Sequence, residues 1–401
     1  TYTVGGVLVG SATTGTNAFQ LLQGGKVTFQ NGTIVGVSEG TKPAEDTPNW
    51  HGAPAMVIQN YCDLTLKNMT VSGGDETVYT MSNNHGNVVI EDSTINAGGA
   101  KGYSYGPYAF DVCGYSDYTG VSVTVKGASA INGDIEVSRS ANNENAVTLA
   151  LESGTVNGTL KIDSSIKSGD ATTVTKSANV TLAAPDGYLW NADGKLVVAV
   201  AKVGDKSYES LQAAIDAASR NATVTLLANT RENVTVSQNN IVLDLNGFTL
   251  NGGTEKGKPA LKVDNARVTV KDSSEAQTGT IMREDTAENS GVSSHYVIDI
   301  QGKQSKSLLT FESGTVKNNS GNTEGKGASL VRVGDDSVAE YPGLTIKGGT
   351  FTQDNFIAIK VDRGTLYLND GEVNSANSYA IENWHRATIK GGTVNGAVSS
   401  W

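Results

Sequence analysis

Gly364-Thr-Leu-Tyr-Leu-Asn-Asp-Gly-Glu-Val-Asn-Ser375 is the stretch on which the fold is read. Close copies flank it. Gly343-Leu-Thr-Ile-Lys-Gly-Gly-Thr-Phe-Thr352 stands before it, and Arg386-Ala-Thr-Ile-Lys-Gly-Gly-Thr-Val-Asn395 after it. Each copy places two apolar residues around an outward one, then a small or polar pair, then Thr and an apolar residue. A pattern that returns in this way marks a repeat unit, which alone has nothing to bury its apolar face against.

Working back along the chain, Val27-Thr28-Phe29, Leu64-Thr65-Leu66, Val88-Val89-Ile90, Val123-Thr124-Val125, Leu149-Ala150-Leu151 and Val180-Thr181-Leu182 read as one strand seen six times. The apolar-outward-apolar alternation has the period of two that belongs to β-strands. A second strand precedes the copies: Met56-Val-Ile58, Tyr79-Thr-Met81, Phe110-Asp-Val112, Ile135-Glu-Val137 and Leu160-Lys-Ile162. A third, shorter one falls at each Gly-Thr-Ile or Gly-Thr-Val step.

Residues 184–234 interrupt the pattern. Leu211, Ala214, Ile215 and Ala218 recur at helical spacing, which predicts a helix near 208–219 with Ser207 as N-cap, sized to plug an open end of the stack. The repeats then resume. Val268-Thr-Val270, Leu309-Thr-Phe311, Leu344-Thr-Ile346, Leu366-Tyr-Leu368 and Ala387-Thr-Ile389 form one column. Leu261-Lys-Val263, Ile298-Asp-Ile300, Val331-Arg-Val333, Ile359-Lys-Val361 and Ile381-Glu-Asn383 form the other. The organisation expected is all-β, two tandem parallel stacks over 1–196 and 197–401 with the helix as the cap of the second. Because residue 1 falls mid-pattern, the chain is expected to be a piece of a longer polypeptide whose first cap lies elsewhere.

Composition narrows the function. The formal net charge of −11 disfavours nucleic acid, whose phosphates require a basic surface. The two cysteines, Cys62 and Cys113, sit in different columns, so two free thiols are expected. No apolar run reaches membrane-spanning length, and no insertion is expected.

Residues 348–383, GGTFTQDNFIAIKVDRGTLYLNDGEVNSANSYAIEN, resemble the right-handed, pectin-lyase-like parallel β-helices of bacterial cell-surface proteins. Residues 201–252 resemble the module opening repeated in large secreted or wall-anchored proteins of Gram-positive gut bacteria. The resemblance implies a right-handed parallel β-helix solenoid at the cell surface, probing the outside of the cell as an adhesin or stalk. It implies host glycan or host protein, immunoglobulin among them, as partner, and a monomer within a longer multi-module chain.

Many β-helices of this shape cleave polysaccharides, with acids or metal-bound carboxylates on the outside of the strand stack. The Asn-x-Asp, Asp-Asp and Gly-His-Gly series of polygalacturonase-like enzymes is absent, and Asp335-Asp336 reads as a turn. Asp111 and Glu136 share an outward column, with Lys161 next and Arg139 nearby. Two carboxylates one strand apart, with calcium between them and Arg139 as base, are the candidate catalytic set of a lyase or hydrolase. The alternative is a solvated Asp-Glu-Lys ladder. Aromatic residues point elsewhere: residues 101–118 hold five of the 14 tyrosines. Tyr103, Tyr105, Tyr108 and Tyr115, with Trp50 and His51 from the long segment 38–53, are the candidate ligand-binding set, since flat amphipathic rings on loops suit sugar faces or a protein hot spot. The segment 282–296 is a weaker candidate.

Overall fold

The computed structural model describes residues 2–5, 7–8, 17–37, 50–51, 54–167, 169–237, 240–255, 257–284, 295–318 and 329–401. They divide into two compact units, Thr1–Val197 and Val198–Trp401, each with its own apolar core. The fold is all-β with large parallel sheets and one helix among the described residues.

Strands distant in sequence pair in parallel, because a chain that repeats its alternation can lay each copy on the last with like residues in register. In the first unit Leu64 pairs with Val88, Val88 with Val123 and Val123 with Leu149, so the first five predicted triplets stack in register. The sixth does not. Leu149 pairs with Val174, and the strand is Thr172–Lys176 rather than Val180–Leu182. Val180 and Leu182 instead turn into the core as irregular chain, with Trp190 and Leu196 packed against it. The Trp190 indole N–H donates to Leu182 O at 2.9 Å, and the Lys176 ammonium to Val180 O at 2.9 Å. The returning chain runs antiparallel beside the last parallel strand, Lys195 opposite Thr175.

The neighbouring sheet shows a second correction. Phe110 pairs with Met81, not Tyr79; Tyr79 faces Tyr108, and a bulge falls between Tyr108 and Phe110. From Phe110 onward the expected register holds: Asp111 pairs with Glu136 and Glu136 with Lys161. Met56 pairs with Tyr79 as read, but Val57 and Thr80 point inward and are fully buried, so the outward column continues through Gln59 and Ser82.

In the second unit every predicted pairing is found. Val268, Leu309, Leu344, Leu366 and Ala387 follow one another in register, as do Leu261, Ile298, Val331, Ile359 and Ile381. The helix is shorter than expected, Leu211–Ala217, and its N-cap is Ser210, whose Oγ accepts from Ala213 N; Ser207 lies in the strand Lys206–Tyr208. Leu211, Ala214 and Ile215 are buried at the start of the core, where they close it. Ala201–Val203 runs antiparallel along the first strand of the stack, Ala222–Leu226, and covers its edge.

The Gly pairs of the repeat have a backbone role. Gly349, Gly371 and Gly392 all have positive φ, at 83°, 96° and 82°. A Cβ at each would meet a carbonyl oxygen of the preceding tier, Gly314, Gly349 and Gly371 respectively, at 2.6–2.8 Å. Only glycine allows both the left-handed corner and the close approach.

Asparagine ladders fix the tiers against one another. Asn132 Nδ2 donates to Asn96 Oδ1 at 2.7 Å and Asn157 Nδ2 to Asn132 Oδ1 at 2.8 Å; Asn395 donates likewise to Asn374 at 2.7 Å. Asn132→Ala removes two rungs at once and is expected to cost the first unit about 1–2 kcal/mol. Thermal unfolding of the variant measures this, and an unchanged midpoint would mean that the ladder follows register without stabilising it.

Candidate functional site

On the first unit, the parallel strands Met56–Asn60, Tyr79–Asn83, Tyr108–Gly114, Asp134–Arg139 and Leu160–Ile162 present one outer face. Period-two alternation aims Gln59, Ser82, Asp111, Glu136 and Lys161 outward in a single column across it. Two groups of rings bracket this column. On the N-terminal side Tyr79 stacks on Tyr108, centroids 5.1 Å apart, and Tyr105 reaches Tyr79 at 6.3 Å with Tyr103 behind it at 5.9 Å. On the C-terminal side Tyr61 meets Tyr118 at 5.1 Å and Tyr115 at 6.1 Å, and His85 stacks on Tyr118 at 5.2 Å.

Both groups lean toward the acids. The Tyr79 hydroxyl donates to Glu136 Oε2 at 2.9 Å, spanning the intervening strand, and Tyr108 also hydrogen-bonds Glu136. Burial and then Glu136 push Tyr108 up to about 12, while burial, Asp111 and Glu136 together hold Tyr79 far above the ordinary phenol range. From the other side Tyr61 is pushed up to about 12, by burial first and then by Tyr115, Tyr118 and Asp111. The Tyr61 hydroxyl accepts from Gln59 Nε2 at 3.0 Å.

Asp111 is the unusual member. It is only 4% exposed, and its Oδ1 accepts from Asn83 N at 2.6 Å while the Ser82 hydroxyl lies 3.3 Å from Oδ2. Burial raises its pKa to about 8 against the opposing Asn83 N–H, and the Glu136 charge adds to the rise. The group is therefore mostly a neutral acid at pH 7. The same burial, with Asp111 beside it, pushes the Cys113 thiol up to about 12, so Cys113 is no nucleophile at neutral pH. Cys62 and Cys113 are both free.

Of the residues predicted from sequence, Tyr103, Tyr105, Tyr108, Tyr115, Asp111 and Glu136 come together on this face. Arg139 does not. It lies three residues from Glu136 along a strand and so points to the opposite side, where its guanidinium donates to Asn143 O and Asn145 O at 2.7 and 2.6 Å. A buried arginine held in this way cannot serve as a base on the outer face. Trp50 and His51 form a two-residue strand antiparallel to Val7–Leu8; their side chains, and the remainder of 38–53, lie outside the described residues, as do 285–294 of the segment 282–296. Tyr61, Tyr79, Tyr118 and His85 were missed. The signal that could have found Tyr79 is its alignment with Tyr108 once the strands are in register.

Calcium takes six to eight oxygens. Here one carboxyl is sealed and neutral and the other is occupied by phenol hydroxyls. Among the described residues no group of three or more His, Cys, Asp or Glu gathers as a cation site. The donor set does not fit calcium. No helix among the described residues is long and apolar enough to cross a membrane.

No family model, no curated protein and no solved structure matches this chain. The face must be interpreted from its own chemistry. It offers aromatic rings, two of them well exposed (Tyr105 51%, Tyr115 44%), beside the part-exposed Gln59 and Glu136 and the exposed Lys161, with Ser82 and Asp111 covered beneath. Such a surface suits a ligand that is apolar on one side and hydroxylated on the other.

Proposed function

We propose that the chain is a non-enzymatic module of a bacterial cell-surface protein, wound as two right-handed parallel β-helix units, and that the tyrosine-bracketed face of the first unit binds a host glycan. The winding is supported by like residues pairing tier on tier in parallel register; the surface location is supported by the resemblance of residues 201–252 and 348–383 to modules of such proteins. The observation that carries the binding function is the convergence of Tyr79, Tyr108 and Tyr61 on Asp111 and Glu136 from both sides. Rings held by their neighbours lose little freedom when a sugar packs on them, which favours binding.

A polysaccharide lyase or hydrolase is the second reading, favoured by a neutral Asp111 next to Glu136 on the adjacent strand. It is the weaker one. A general acid must reach the atom it protonates, whereas Asp111 is almost fully covered and Arg139 is turned away.

A screen of mucin-type glycans and host proteins, immunoglobulin included, should return a glycan. Tyr105→Ala and Tyr79→Ala should then each weaken binding about tenfold, the effect of an aromatic anchor. Capture of a protein with no glycan bound would replace the ligand class, and silence across both sets would leave a spacer. Unsaturated products or new reducing ends from any of these glycans would favour the second reading instead.

A further inference from the structure

The second unit carries a different aromatic site. Where the strand Ile359–Val361 and the strand after it leave the sheet, Trp384 N donates to Val361 O at 2.8 Å and Trp401 N to Asn383 O at 3.0 Å, so the two indoles stand one tier apart. Their rings stack 5.2 Å apart at 17°. Trp384 is 50% exposed and Trp401 71%. Large apolar rings this open to water are costly unless something covers them. Trp384 forms one wall of a hollow of about 520 Å³ whose other walls include Arg332, Lys360, Asp335, Asp336 and Asp362.

The polar walls are already in place. Arg332 makes a bidentate pair with Asp299, Nε to Oδ1 at 2.8 Å and Nη2 to Oδ2 at 2.9 Å, and lies 4.5 Å over the Tyr296 ring. Its Nη1 is 3.4 Å from Asp335, and Lys360 Nζ is 3.0 Å from Asp362. The Ser337 N–H and hydroxyl donate to Asp335 Oδ1 at 2.8 and 2.6 Å. Burial works to raise Asp335, but Ser337 and Arg332 outweigh it and keep its carboxyl below the usual range.

Each lining carboxylate is paired, Asp335 with Arg332, Asp362 with Lys360 and Asp336 with Arg363 at 3.3 Å, so the hollow has no unpaired cation to hold an anion. It is also too polar for a purely apolar ligand. A hydroxyl group satisfies both members of an ion pair, since it donates to the carboxylate and accepts from the ammonium or guanidinium. A pyranose supplies several hydroxyls and a C–H face for the indole. We propose that the Trp384 hollow is a binding site for a neutral pyranose residue, separate from the face on the first unit. Its size lies within the ordinary range for small-ligand sites.

The test is titration of the whole chain with glucose, galactose, mannose, N-acetylglucosamine and galacturonate, followed by calorimetry and tryptophan fluorescence. At least one neutral sugar should bind saturably, with galacturonate at least tenfold weaker. Trp384→Ala should abolish that binding with the thermal midpoint unchanged, and Lys360→Met should weaken it several-fold. Tyr79→Ala should leave it untouched, which separates this site from the glycan face. The proposal is overturned if no neutral sugar saturates, if galacturonate binds equally well, or if Trp384→Ala and Lys360→Met both bind as the unaltered chain does.

Discussion

Asp111→Asn is expected to stabilise the first unit by up to about 5 kcal/mol at pH 9 while leaving it nearly unchanged at pH 4. The folded state holds the Asp111 proton with a pKa of about 8, whereas an unfolded chain releases it near the ordinary carboxyl value. A raised folded pKa gives stability that is complete below the unfolded value. It is lost as pH climbs toward the folded one, at about 1.4 kcal/mol per pH unit. The unaltered first unit should thus weaken steadily between about pH 4 and 8 and then level off. Asparagine keeps an acceptor for Asn83 N–H and carries no charge, so the slope should vanish. Hydrogen exchange of Tyr108–Gly114 across this range measures it, and an equal slope in both proteins would show that Asp111 is ionised throughout.

Phe311→Ala is expected to cost the second unit about 3–5 kcal/mol. Phe311 and Phe351 are fully buried on adjacent tiers and meet edge to face at 4.8 Å. Truncation removes the ring, its aromatic partner and the surface against which Gly349 packs, since a Cβ at Gly349 would lie 2.7 Å from the Phe311 ring. Tiers that pack mainly on their neighbours should lose stability locally first. Exchange should therefore accelerate in Leu308–Phe311 and Gly343–Thr352 before it does in Ala222–Leu226, with the first unit unaffected. Uniform acceleration through the second unit would mean that it opens as a single block.

Legibility in the sequence followed the physics of alternation. A period of two declares which side chains share a face, so the columns of the second unit and the Asp111–Glu136–Lys161 column could be read directly. Alternation does not say which tier a triplet joins. Val174-Thr-Lys176 and Val180-Thr-Leu182 both carry apolar-Thr patterns, and the deciding contacts come from chain that folds back later, through Trp190 and Lys176. The bulge beside Ala109 is a backbone event with no periodic signature; it falls where Tyr108 pairs with Asp134 and Phe110 with the very next residue, Ile135. Arg139 is an error of parity that the sequence itself could have corrected, since an odd separation from Glu136 places it on the other side. Tyr61 and Tyr79 are isolated in the sequence and become part of a cluster only through register.

The antiparallel segment around Lys195 has a consequence for assembly. The last parallel strand of an open stack is a growth front onto which a like strand from any chain can be added. Here that front is met by a strand running the opposite way, and Gly194 O already takes the Lys176 N–H at 2.8 Å. A parallel strand arriving beside Thr172–Lys176 finds the Lys176 N–H taken and the neighbouring direction reversed, so templated addition is hindered along that strand, an obstacle to fusing such units end to end into a fibre.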